Sequence, residues 1–196
     1  SRGLGDVYKR QVYKTLEINV EKVSIPSVSS SNFDGVGYIK ITTFSNNTYE
    51  QFKTALSSLE KENIDSLVID VRNNGGGFLN AAVDIAELFI EKGKNVYGLE
   101  TKEKTEYYKD STKESRKYKV GILLNSASAS ASEILAAALK ESYGATLLGL
   151  TSYGKGTVQE TSELETGGMI KYTTAYWLTP NGNKINNVGL KPDVEI

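Results

Sequence analysis

Apolar positions along this chain change their period repeatedly, and each change marks an element. From 15 to 25, "TLEINVEKVSI" sets Leu16, Ile18 and Val20 two apart and restarts at Val23 and Ile25, which predicts a strand ending at Pro26. "SVSSSNFDG" (27–35) has no apolar period and reads as a linker or loop, and "VGYIKITTF" (36–44) reads as a second strand. The period then lengthens. Phe52, Ala55, Leu56 and Leu59 form one helical face, opened by Thr48 with Gln51 at capping-box spacing. "SLVIDVR" (66–72) is a continuous apolar run of the kind found in buried parallel strands, broken by "NNGGG" (73–77). Ala82, Ile85, Ala86 and Phe89 mark a second helix, stopped at Gly93. "KVGILL" (119–124) is a further strand, "SEILAAALKES" (132–142) a helix and "ATLLGL" (145–150) a strand. "GMIKYTTAYWLT" (168–179) is strand-like, followed by turn signals at "PNGN" (180–183). Strands and helices alternating around apolar central strands predict an α/β fold with right-handed crossovers.

Composition narrows the chemistry. A length of 196 residues with 39% hydrophobic content suits one domain with a real core. A formal net charge of −1 gives no global attraction to nucleic acid or to an anionic membrane. No apolar run approaches the roughly 20 residues of a membrane-spanning helix. The mixed-charge stretch 101–119 reads as a solvated hairpin or loop. The chain has no cysteine, which removes disulfides and thiolate chemistry, and no histidine, which removes the usual general base and the commonest metal ligand. Residues 1–11 lack any hydrophobic period, and "DVYKRQ" within them resembles a translated sequencing adapter, so they are set aside as a scar.

Three stretches carry candidate chemistry. "IDVRNNGGG" runs a buried strand into three glycines, whose bare amides suit an oxyanion or phosphate, or form an ordinary tight turn. "NSASASASEI" (125–134) follows a strand and opens a helix, so its serines are helix caps or include a nucleophile near unpaired amides. "GLTSYGKGTVQ" (149–159) nearly completes a P-loop, but Gly156 stands where Ser or Thr must follow the lysine, which argues against an NTPase. Without histidine, a serine nucleophile needs a neutral, desolvated lysine as its base. Lys155 supplies the amine, and Gln159 could hold it by hydrogen bond without adding charge.

Together these stretches resemble the carboxy-terminal processing peptidases, or tail-specific proteases, whose motifs run D-L-R-x-N-x-G-G, S-A-S-A-S-E and F-G-K-G-x-V-Q. The closing "YWLTPNGNKINNVGLKPDVEI" also resembles the end of that family's catalytic core. The resemblance implies a ClpP/crotonase-like α/β core over 27–196, with residues 12–26 as the last strand of a truncated PDZ domain. It implies Ser130 as nucleophile, Lys155 as base, Gln159 as its orienting amide, and the N–H groups of Gly76 and Ala131 as oxyanion hole, with Glu141 in a supporting role. The implied activity is serine endopeptidase cleavage of proteins near their C-termini through an acyl-enzyme, with no cofactor and no metal. Substrates would be bound by their C-terminal tails, outside the cytoplasm, and a membrane tether or homodimer contacts would lie in missing regions. The alternative is a non-catalytic peptide- or ligand-binding relative on the same scaffold. Ala127, Tyr153 and Gly75 depart from the family's frequent glycine, phenylalanine and proline, and "SYGA" (142–145) from its usual form.

Overall fold

The computed structural model describes residues 25–196 except Glu114. The strand expected at 15–25 and the assignments of 1–11 and 12–26 therefore lie outside the described residues, apart from Ile25 and Pro26. The elements, in chain order, are β1 Val28–Phe33, β2 Val36–Ile41, α1 Thr48–Lys61, β3 Ser66–Asp70 and α2 Leu79–Glu87. Then come β4 Asn95–Glu100, β5 Thr105–Lys109, β6 Lys119–Leu124, α3 Ala131–Ala138 with a π turn Leu139–Tyr143, β7 Thr146–Gly149, β8 Thr157–Glu163, β9 Met169–Leu178 and β10 Val194–Glu195.

A six-stranded sheet runs β1-β2-β3-β6-β7-β10. Its centre is parallel, and only β1 pairs antiparallel, with β2. The register puts Ile39, Ile69, Ile122 and Leu147 in one row across four strands, and all four are fully buried. Each contributes about 1.5–3 kcal/mol by leaving water. Phe52 and Leu56 of α1 and Ile85 of α2, with Phe89 just beyond it, join them in one core. Burial alternates along β2, β3 and β6, so one face is sealed and the other only half covered. The continuous apolar run at 66–72 thus overstates burial of the second face.

Several strands are not legible in the sequence, β4 at Asn95–Glu100 and the short β10 at Val194–Glu195 among them. Residues 28–33, expected as a loop, form an exposed edge strand whose Asp34 and Gly35 take positive φ in a hairpin turn. Asp-Gly is a hairpin signal, but the polar serine run hides the strand. β8 is equally polar and exists through its pairing with β9, in a second, antiparallel sheet of order β5-β4-β9-β8. The Thr48 helix start is correct, but the capping box is not formed. Gln51 instead accepts the N–H groups of Ser27 and Val28 and so fixes the start of β1.

Candidate active site

The loops leaving β3, β6 and β7 emerge side by side at the C-terminal edge of the parallel sheet, where open α/β folds gather functional groups. The three motifs of the sequence sit on these three loops. The first is anchored by Asp70, fully buried at the end of β3. Its carboxylate accepts the Tyr38 hydroxyl at 2.6 Å, the Arg72 guanidinium at 2.7 Å and the Arg72 N–H at 2.9 Å. Burial alone would raise this carboxyl, but the bonds from Arg72 and Tyr38 outweigh it and hold Asp70 below the usual carboxylate range. A folded-state value below the unfolded one stabilises the fold above about pH 4, and that contribution is lost as pH falls through the lower folded value. Arg72→Ala is expected to cost about 2 kcal/mol at neutral pH. Urea unfolding at pH 7 and pH 3 checks this, because the cost should shrink at the lower pH.

Beyond Asp70 the chain turns through Asn73, with φ 61°; its backbone N–H donates to Asn125 Oδ1 and its Oδ1 accepts from the Asn125 amide, which ties the glycine turn to the serine loop. Asn74 is fully buried; its amide donates to Ile41 O and its Oδ1 accepts the Gly76 N–H at 2.9 Å. Gly76, with φ 103°, lies so close to the serine loop that a Cβ would meet Ser130 Cβ at 2.9 Å. Phe44 N–H donates to Gly76 O and Phe44 O accepts the Phe78 N–H, so the turn is tied to the segment that follows β2 on both sides of Gly77. Ala131 N–H heads α3, where no intrahelical acceptor exists.

The alternating serines have separate fates. Ser126 is exposed. Ser128 and Ser132 are buried, and their hydroxyls donate to Val71 O at 2.8 Å and Asn74 O at 2.9 Å, stitching the helix start to the turn after β3. Ser130 alone stands at the groove, half-buried, with φ 58° and ψ −116°. Such strain in a non-glycine residue persists only where the surroundings enforce it, and it marks functional sites.

The third loop is held from two sides. Tyr153 N–H reaches Ser128 O, and Gly154 O accepts the Asn187 N–H. A Cβ on Gly156 would meet Asn186 N at 2.4 Å, so the second glycine of "GKG" is required by the passing C-terminal segment. Glu133, 1% exposed, accepts at both carboxylate oxygens from this loop and from Ser130 N–H. In the sequence Glu133 stands out only as the last letter of a motif. Its serine-x-x-glutamate spacing at the head of an otherwise apolar helix is the signal available there.

Ser130, Ala131, Lys155 and Gln159 line one groove of about 260 Å³, with Gly77 at its edge and Leu79, Ile134, Val158 and Trp177 as its apolar walls. Lys155 is exposed, whereas a desolvated base calls for burial among apolar groups. Lys155 lines the groove from the third loop. Glu141 is not in this group. It accepts the Asn181 N–H at 2.7 Å and pins the turn after β9. A larger cavity of about 630 Å³, at the opposite edge beside Lys119 and Thr146, gathers none of the expected residues.

The family model of peptidase family S41 matches residues 35–196, and the chain belongs to that family. It is 42% identical over 186 residues to a Staphylococcus aureus (strain N315) protein named a probable CtpA-like serine protease, and 39% identical to a Staphylococcus haemolyticus counterpart. That match covers 93% of this chain but 38% of the S. aureus protein, so the chain spans well under half the length of the relatives it matches. Among solved structures it is similar to a photosystem II D1 C-terminal processing protease, with TM-score 0.82 and 30% identity over 90% of this chain and 50% of that one. A lipoprotein from Streptococcus agalactiae shares the fold at TM-score 0.71 and 17% identity over 87% of this chain and 65% of that one.

Proposed function

We propose that this chain is the peptidase core of a longer processing protease that cleaves proteins near their C-termini through a Ser130–Lys155 dyad. The observation that carries the reading is Ser130, held at positive φ at a helix start, with Lys155 on the wall of the same groove. Neutral Lys155 takes the hydroxyl proton as Ser130 attacks the peptide carbonyl, and returns it to the leaving amine. The tetrahedral oxygen is held by Ala131 N–H and by the glycine turn. Gly76 N–H serves only after leaving Asn74 Oδ1. Water then hydrolyses the acyl-enzyme. Gln159 orients the amine as a neutral partner.

The parallel sheet with its site at the strand ends supports a ClpP/crotonase-like core. Tail recognition by a PDZ domain, of which 12–26 would be the last strand, and an extracytoplasmic location follow the family resemblance. Among the described residues no helix is long and apolar enough to cross a membrane.

A fluorophosphonate probe tests the reading. Slow, stoichiometric labelling is expected at Ser130, abolished in Ser130→Ala and strongly slowed in Lys155→Met. Labelling that is indifferent to Lys155 would overturn the dyad, and labelling absent together with any hydrolysis of an unstructured peptide would overturn the reading in favour of a binding role.

A further inference from the structure

Glu133 touches both halves of the proposed dyad machinery without lining the groove. One oxygen accepts Ser130 N–H at 2.8 Å and Lys155 N–H at 2.9 Å; the other accepts Gly154 N–H at 2.7 Å and the Ser152 hydroxyl at 2.6 Å. Ser152 is buried as well, and its oxygen accepts Leu190 N–H at 2.7 Å while its own N–H reaches Leu190 O. A single buried carboxylate thus joins the nucleophile's backbone to the base's backbone. A buried serine passes the connection on to the C-terminal segment. An exposed lysine on a glycine-framed loop has many accessible positions, and a base misplaced by 1 Å loses much of its effect.

We propose that Glu133 and Ser152 form a positioning clamp that sets the Lys155 loop against the Ser130 turn, so that the dyad's geometry is fixed by backbone bonds rather than by contacts to the amine itself. Its catalytic consequence rests on the dyad reading above, whereas the clamp itself does not. Four donors converge on two oxygens, a demand only a carboxylate meets in full, because a glutamine would set an N–H₂ against two of them.

Two readouts on the full chain test the clamp. Amide hydrogen exchange at Ser130, Gly154 and Lys155 is expected to quicken by about tenfold or more in Glu133→Gln, while Leu67 and Ile69 in β3 keep their protection. Turnover of an unstructured peptide by the same variant should fall about a hundredfold in kcat with KM within about threefold. Glu133→Asp should recover part of both losses, and Ser152→Ala, which leaves three of the four bonds, should lose about tenfold in kcat. A general loss of structure would also strip the β3 amides, and in that event Ser152→Ala decides by the same readouts. Unchanged exchange at Gly154 and Lys155, or kcat within twofold of the parent, overturns the clamp. A parent chain with no turnover would sink the dyad reading, and the exchange experiment would still decide the clamp.

Discussion

Replacing Ser130 by glycine is expected to abolish turnover and to raise stability. At φ 58° and ψ −116° a serine carries backbone strain of about 1–3 kcal/mol, which glycine relieves at a smaller entropic cost. A net gain of about 1 kcal/mol would raise the unfolding midpoint by roughly 2–4 °C for a chain of this size. Turnover should fall about 10⁴-fold or more, because no other hydroxyl in the serine run faces the groove. The neighbours should behave in the opposite way. Ser128→Ala and Ser132→Ala each remove a buried hydrogen bond to a carbonyl that keeps one other donor, and should cost about 1 kcal/mol. Ser126→Ala, at an exposed position, should change neither property. Thermal unfolding beside peptide hydrolysis separates the four variants. A Ser130→Gly protein less stable than its parent would remove the strain argument, and loss of activity in Ser126→Ala would mean that the register is misassigned.

Turnover should climb with rising pH along a single limb, since an amine serves as a base only when neutral. The exposure of Lys155 adds a sharper expectation. If a bound peptide supplies the desolvation, the limb in kcat, which reports the enzyme–substrate complex, should lie at lower pH than the limb in kcat/KM, which reports the free enzyme. Gln159→Glu places a negative charge in the groove and should move both limbs to higher pH, by favouring the ammonium form. Lys155→Met should remove activity across the range. Profiles for parent and variant on one unstructured peptide test this. Activity already maximal at pH 6, or limbs unmoved by Gln159→Glu, would falsify the neutral-lysine mechanism.

What the sequence determined by itself was whatever short-range pattern encodes. The apolar runs at 66–70 and 119–124, the helical periods from Thr48 and through Ala82, and the order of the three motifs all read directly, because each depends on neighbours a few residues apart. The absence of histidine and cysteine, a property of composition alone, removed thiolate chemistry and left lysine as the base a serine nucleophile would need. What only the tertiary structure decided involved partners far along the chain. β1 and β8 are polar strands that exist because another strand pairs with them, and pairing leaves no apolar period to read. Four alternating serines are nearly equivalent as a string. Carbonyls more than fifty residues away take up Ser128 and Ser132 and leave Ser130 to the groove. The engagement of Gly76 by Asn74, the bond from the distant Asn181 turn to Glu141 and the exposure of Lys155 were equally hidden. So was the convergence of Ser130, Ser152, Gly154 and Lys155 on Glu133, since a buried carboxylate is defined by donors that only the folded chain brings within reach.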